Sequence, residues 1–214
     1  MAPINGIVRT SADSLAESAL QGKAVRVGDL RYRDTNGDGK LDPRDQTVIG
    51  DANPDWVGSI NHRLSFGKFD LTALFNVVLG NSIIDADRIR YLSLNGSMNV
   101  PREYVTNAFD PQTNPNGKYP MIRQDRQYDA RFNDMFIEDG SYVRLRSLQL
   151  GYNLSLPQAR SARLYVNAIN LVTWTRYVGF DPEVSAFGGP DRPGVDQGSY
   201  PQSRLISVGV STAF

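Results

Sequence analysis

The chain has 214 residues with 23 basic and 23 acidic side chains, so its formal net charge is zero. A neutral chain has no overall field that would attract nucleic acid, and we predict no nucleic-acid partner. It contains no cysteine and one histidine, His62, which excludes disulfides, thiolate nucleophiles and zinc sites built from cysteine and histidine. No convergent acid, base or nucleophile stands out in the sequence, so we predict that the chain is not an enzyme.

Apolar runs in this sequence are all short. None approaches the roughly 20 residues that a membrane-spanning helix requires, and the longest, residues 71–79, has the length of a strand. The first residues lack the basic segment and apolar core of a signal peptide. If the protein is exported, we therefore expect the beginning of the natural sequence to be missing.

The first predicted element is a short helix over residues 10–20, with Ser11 or Ser14 as its cap. Its apolar face is modest, which indicates packing within a loop region. We assign residues 1–55 to that region.

The segment from Asp34 to Asp45 has the residue pattern of a calcium-binding loop. Calcium requires about six to eight hard oxygen ligands, which such a loop supplies at alternating positions around a sharp glycine turn. The candidate ligands are Asp34, Asn36, Asp38, the backbone carbonyl of Lys40, Asp42 and Asp45. We predict a structural Ca²⁺ site. Because Asp45 is shorter than the usual Glu and Pro43 replaces the start of a helix, a turn held by its own side chains stays open as an alternative.

Five segments alternate apolar and polar residues in the manner of half-buried antiparallel strands. A two-residue turn at Gly67-Lys68 joins the first two of them. In the third, the apolar parity changes near Arg146, which indicates a bulge or a change of environment. The predicted strands are 56–66, 69–79, 142–154, 163–173 and 204–214.

The connections between these strands are alternately short and long. Residues 80–141 and 175–203 form the two long connections, and unstructured stretches of that length are uncommon in compact soluble domains. Outer-membrane barrels have short periplasmic turns and long extracellular loops. The predicted fold class is therefore all-β, with antiparallel strands of a transmembrane β-barrel and the long loops outside, including region 1–55.

The last strand ends the chain on an aromatic residue. Ser207, Gly209, Thr212 and Phe214 resemble the C-terminal signal that the barrel assembly machinery reads, although Thr212 is less apolar than that signal prefers. Elsewhere, acidic residues that precede proline, such as Asp110 and Asp181, are interpreted as turn formers.

Several blocks of sequence occur in an order that is similar to one known family. The chain resembles the C-terminal part of the SusC/RagA-like, TonB-linked (TonB-dependent) outer-membrane transporters. The blocks that carry this resemblance are residues 5–7, 28–32, 34–42, 49–50, 53–54, 69–71, 136–145, 150–153, 168–171, 179–185, 200–201 and the terminal Phe214. Residues 105–116 depart from the family pattern, because they lack the tryptophan that this loop usually carries.

The resemblance implies active import of nutrients, oligosaccharides or peptides, across the outer membrane. Such transporters are 22-stranded barrels closed by an N-terminal plug. A SusD-like surface lipoprotein captures the substrate, and the TonB complex acts through the N-terminal part. Because about five strands cannot close a barrel in lipid, we expect this chain to be a fragment that cannot transport alone, whether from a truncated gene, a split annotation or an excerpt.

Polar residues on the inward parity of the strands are candidates for substrate contacts. They are Asp70, Asn76, Tyr165 and Asn167. Two other interpretations stay open at this point. One is a secreted, β-rich binding module stabilised by calcium, and the other is a fragment of a passive porin.

Overall fold

The computed structural model describes residues 3–92, 99–123, 133–155, 161–184 and 193–213. The chain divides into two compact units, and each consists of two segments of sequence. The first unit is Met1–Gly50 with Ile84–Ile137, and the second is Asp51–Ile83 with Glu138–Phe214. The predicted division after residue 55 and the single loop over residues 80–141 differ from this arrangement, because most of that connection belongs to the first unit.

The first unit contains short strands and helices. They are β1 (Ile4–Ile7), α1 (Ser11–Gln21), β2 (Leu30–Tyr32), α2 (Ala86–Leu92) and α3 (Arg102–Asn107). Helix α1 is capped by Thr10, whose side chain accepts from the Asp13 amide, so the predicted caps Ser11 and Ser14 are wrong. Among the described residues, no helix is both long and apolar enough to cross a membrane.

Two small clusters of buried side chains explain why residues from both segments form the first unit. Leu30 and Tyr32 pack against Ile4, Leu41 and Met135. A second cluster joins Tyr104 and Phe136, with Met135 and three further apolar residues packed against it. These aromatic residues have no regular spacing in the sequence, and periodicity therefore does not reveal their packing.

The second unit is built on an antiparallel β-sheet. The remaining strands of the chain are β3 (Trp56–Phe66), β4 (Phe69–Leu79), β5 (Ser82–Asp85), β6 (Ile137–Asp139), β7 (Tyr142–Leu154), β8 (Ser161–Thr175), β9 (Val195–Asp196) and β10 (Leu205–Ala213). Five long strands pair in the order β10-β8-β7-β4-β3, and β6, β5 and β9 form a small separate sheet. The prediction of antiparallel β architecture is confirmed, whereas closure into a barrel stays a prediction.

The long strands follow the predicted segments closely. Strands β3, β4 and β7 have the predicted bounds, and β8 extends two residues further at each end. Strand β10 is observed as Leu205–Ala213, and Phe214 lies outside the described residues.

A β-bulge causes the change in the apolar alternation of β7, which confirms one of the two explanations predicted from the sequence. The pairing of β7 with both neighbours shifts between Leu145 and Ser147, so that Arg146 is the extra residue. On β8 the same irregularity contains Asn170, which has a φ of 51°, and its side-chain oxygen accepts from Arg146 at 3.1 Å. The bulge returns Leu145 to the face that Leu148 occupies, because one added residue inverts the alternation.

Candidate functional site

One face of the five-stranded sheet is apolar and open to its surroundings. Paired residues of neighbouring strands lie on the same face, so the register joins the apolar side chains into one surface. Val208 and Ile60, near its opposite edges, are 76% and 58% exposed. The surface includes Ile60, Leu64, Leu71, Phe75, Leu148, Leu150, Leu164, Val166, Ile206, Val208 and Val210. Exposed apolar patches of this extent are rare on soluble monomers and typical of the lipid-facing side of membrane barrels.

Aromatic side chains stand at both ends of this apolar face. Trp56 and Trp174 lie at the end where the long connections leave the sheet, and both are half exposed. Phe66 and Phe69 lie at the hairpin end, where the ring of Phe69 is 4.8 Å from that of Tyr152. An eleven-residue strand is roughly 35 Å long and, at a tilt of about 40°, spans a height of about 25 Å. This height matches the apolar band of an outer-membrane barrel between its two aromatic girdles.

The opposite face is polar, and near the hairpin end its side chains form a chain across four strands. Asp70 of β4 accepts from the Nε of Arg163 on β8 at 3.0 Å, and a second guanidinium nitrogen donates to its other oxygen. The guanidinium lies 5.4 Å from the centre of the Tyr165 ring. We call this series, Asp70, Arg163 and Tyr165, the cross-strand brace.

Two glycines make the cross-strand brace sterically possible. Gly151 and Gly209 are paired with Tyr165 from the strands on either side of it. A Cβ atom at Gly151 would overlap the Arg163 guanidinium, and one at Gly209 would overlap the Tyr165 ring. The side chains of β8 therefore lie flat over the backbones of β7 and β10.

The four substrate candidates all lie on this polar face, but they do not form one site. Asp70 is engaged by Arg163, and the Tyr165 ring covers Gly209. The side-chain oxygen of Asn167 is 3.4 Å from the Ser147 hydroxyl. Asn76 lies six residues along β4 from Asp70, about 20 Å away. Their contact with a substrate stays a prediction.

At the other end of the polar face, a buried arginine ties a loop to the sheet. Arg144 is 1% exposed and donates to the Thr173 hydroxyl at 2.9 Å, to Glu183 at 2.7 Å and to Asp181 at 2.5 Å. A buried guanidinium needs such partners because an unpaired charge in the interior costs several kcal/mol. The cluster fixes the segment 181–183 against β7 and β8.

Sequence reasoning missed this cluster. The proline after Asp181 predicts a turn former, whereas the structure shows that its carboxylate is buried and also accepts from the amides of Glu183 and Gln202. The available signal is Arg144 itself, a charged residue between the apolar residues Val143 and Leu145 on a strand. A single sequence does not reveal its partner, which lies 37 positions away.

Beside the Arg144 cluster lies a half-open cavity of about 510 Å³. Polar, charged and apolar side chains share its wall. The lining residues are Arg144, Asn170, Thr173, Thr175, Phe180, Asp181, Pro182, Pro201, Gln202 and Arg204. All of them belong to the second unit.

The acidic loop of the first unit is closed by its own hydrogen bonds. The two oxygens of Asp34 accept from the amides of Gly37 and Gly39 at 2.6 and 2.8 Å. Asn36 and Asp38 accept from amides two residues further on, at 2.9 and 3.0 Å. These contacts are those of Asx turns, the alternative that the sequence left open.

The last two acidic positions of this loop also have partners within it. Asp45 is buried and accepts from the Asp42 amide at 2.8 Å and from the Thr35 amide at 2.9 Å. The hydrogen bond from the Asp42 amide is the main cause that lowers the pKa of Asp45, and the Arg44 side chain likewise lowers the pKa of Asp42. Arg44 lies 2.8 Å from Asp38 and therefore supplies a positive charge inside the loop.

No group of three or more acidic, histidine or cysteine side chains in the described part of the chain is arranged to hold a metal ion. The predicted ligand set, including the carbonyl of Lys40, is thus arranged as a hydrogen-bonded turn. The Ca²⁺ site stays a prediction.

The proposed assembly signal lies on strand β10. Thr212 shares the apolar face with Val208 and Val210, whereas Ser207 and Gly209 share the polar face with Tyr165. Phe214 lies outside the described residues. The structure gives Gly209 a packing role beneath Tyr165, which the motif alone does not indicate.

Comparison with known proteins gives related sequences for nearly the whole chain. The TonB-dependent receptors P3 and P26 of Formosa agariphila are 32% and 30% identical to it, over 92% and 95% of its length. The TonB-dependent receptor SusC of Bacteroides thetaiotaomicron is 24% identical over 86% of it. The resemblance to SusC/RagA-like TonB-dependent receptors is confirmed. The chain spans about a fifth of the length of these relatives, and no protein-family model matches it.

Solved structures support the same fold. The RagAB peptide importer in its closed-closed state matches 100% of this chain with a TM-score of 0.74 and 24% identity, and the match covers 22% of that chain. The RagAB peptide transporter gives a TM-score of 0.73 with the same coverage. At 24% identity, this structural similarity is evidence of a shared fold only.

Proposed function

We propose that this chain is the C-terminal barrel segment of a TonB-dependent outer-membrane transporter that imports nutrients. The observation that carries the proposal is the sheet with one continuous, exposed apolar face and one polar face, present in all five long strands. Lipid outside and a polar lumen inside require this division of faces. The similarity to TonB-dependent receptors supports the transport role.

The segment has a defined orientation in this proposal. The tight hairpin at Gly67 lies at the periplasmic rim, where barrel turns are short. The first unit and the connection with the Arg144 cluster lie at the extracellular side. Outer-membrane lipid contacts the apolar face between the aromatic residues of the two rims.

The partners and cargo follow from the same proposal. A SusD-like surface lipoprotein covers the extracellular side, the TonB complex acts on another part of the protein, and the barrel assembly machinery inserts the strands. The cargo is an oligosaccharide or a peptide, and the peptide importer RagAB supports the second class. A Ca²⁺ ion in the acidic loop is a structural element of the extracellular side.

Cysteine labelling gives a direct test, because these 214 residues contain no cysteine and any cysteine elsewhere in the full-length protein can first be replaced. Single cysteines at successive positions 205–213 of the full-length protein would carry spin labels in outer-membrane vesicles. We expect labels at Val208 and Val210 to collide with lipid-soluble oxygen, and labels at Ser207 and Ser211, which lie on the polar face, to collide with a water-soluble nickel chelate. Equal access of the nickel chelate to both sets would refute a lipid-facing strand and favour a water-soluble module.

A further inference from the structure

The cavity beside the Arg144 cluster contains one positive charge that no described residue neutralises. Among the described residues that line it, Asp181 is the one carboxylate, and it accepts from Arg144, from the Glu183 amide and from the Gln202 amide. Arg204 also lines the cavity, is exposed, and has no hydrogen bond or ion pair with any of the described residues. The wall of the cavity therefore attracts anions.

The backbone around Arg204 is held in place on both sides. The Gln202 amide donates to Asp181 at 3.0 Å, and the Ser203 carbonyl accepts from the Asn170 side chain at 3.2 Å. Strand β10 begins at the next residue, Leu205, which pairs with Ile169. The backbone that carries the Arg204 side chain is therefore already ordered, and less conformational entropy is lost when the guanidinium binds a ligand.

The remaining lining groups suit a small polar molecule with an apolar part. Asn170, Thr173 and Thr175 provide neutral hydrogen-bonding groups, and Phe180 offers a ring that is 79% exposed. Binding sites combine a few oriented polar groups with such apolar surfaces. Guanidinium groups bind carboxylates through paired hydrogen bonds, which is stronger and more specific than a single contact.

We propose that this cavity binds a carboxylate of the imported molecule through Arg204, beside the ring of Phe180. The inference rests on the proposed function, because it assigns the cavity to the cargo of the transporter. The carboxylate has two possible sources, the C-terminus of a peptide and the uronic acid of an oligosaccharide. Both present the same planar group to the guanidinium.

Calorimetric titration of the full-length protein in detergent tests the proposal with matched probes. The pairs are trigalacturonate against maltotriose, and trialanine against its C-terminal amide. We expect the acidic member of at least one pair to bind about tenfold more tightly at low salt, and which pair shows this identifies the source. Arg204→Gln should bring both members of that pair within about twofold of each other, and Arg204→Lys should retain part of the preference.

Arg33→Gln serves as the control, because Arg33 is exposed and belongs to the other unit. It should leave both affinities unchanged. Equal binding of acidic and neutral probes, no binding of any probe, or a preference that survives Arg204→Gln would overturn the proposal. Uptake by cells is measured separately: import without any acid preference refutes the cavity alone, whereas acid-selective binding without outer-membrane import refutes the transport function.

Discussion

Replacing Gly209 by alanine is expected to have opposite effects on stability in two backgrounds. In the wild type, the new methyl group would overlap the Tyr165 ring, which must then leave its place above β10. Its movement also disturbs the contact with the Arg163 guanidinium, 5.4 Å from the ring centre. The three atoms nearest to the new methyl group all belong to this ring, so a Tyr165→Ala background removes the overlap.

The magnitude follows from two opposing contributions. Overpacking of one methyl group costs about 1–3 kcal/mol, whereas replacing glycine in a strand by alanine gains about 0.5–1 kcal/mol of backbone entropy. Gly209→Ala should therefore destabilise the wild type by about 1–2 kcal/mol and stabilise a Tyr165→Ala variant by about 0.5–1 kcal/mol. The coupling between the two positions is then about 2 kcal/mol, within the range for residues in contact.

Urea unfolding of the full-length protein in detergent, followed by tryptophan fluorescence, measures these free energies. Ser211→Ala is the control, because Ser211 lies on the same strand and face, and it should change stability by less than about 0.5 kcal/mol. Equal destabilisation by Gly209→Ala in both backgrounds would refute the packing role. The yield of assembled protein in cells separates a second possibility: if Gly209 is needed only as a signal for the assembly machinery, Tyr165→Ala cannot restore assembly of Gly209→Ala.

Three further predictions concern the Arg144 cluster and the acidic loop. Asp181→Asn should lower the free energy of unfolding by about 3–5 kcal/mol, because it removes the buried charge that faces Arg144. Glu183→Gln should lower it by less than about 1 kcal/mol, because Glu183 is exposed. Urea titrations of the two variants compare these losses. Hydrogen bonds lower the pKa of Asp45 below its ordinary value of 3.8. The ionised carboxylate therefore stabilises the fold fully above pH 3.8, and this stabilisation is lost as the pH falls through the lowered pKa. In urea titrations at a series of acidic pH values, the free energy of unfolding should fall less for Asp45→Asn than for the wild type. If the acidic loop binds Ca²⁺, terbium luminescence of the wild type should exceed that of Asp38→Ala, and equal signals would contradict the metal site.

The long strands could be predicted because each has a period of two over many residues. Even the bulge at Arg146 left a trace, since the apolar parity of β7 changes there. The choice between a bulge and a change of environment required the pairing partners, Leu74 and Phe75 on β4. Register is a property of two strands, and one strand's pattern does not contain it.

By contrast, neither the packing of the first unit nor the Arg144 cluster could be predicted from the sequence. Both depend on contacts between residues far apart in the chain, such as Met135 with Leu30 and Arg144 with Asp181. Irregular segments carry no period that would report these contacts. The acidic loop illustrates the converse case: its sequence allowed a metal site or an Asx turn, because both use the same oxygens at the same spacing.

The two ends of the polar face use charge in different ways. At the hairpin end, Asp70 of β4 and Arg163 of β8 neutralise each other across the intervening strand β7, so their charges are engaged within the sheet. At the end with the long connections, Arg144 is neutralised by Asp181, and Arg204 keeps a guanidinium without a protein partner among the described residues. A group engaged within the wall would have to break that contact before binding cargo, and the free energy lost would offset the gain. In the proposed orientation, binding of cargo through Arg204 would therefore break no contact within the sheet.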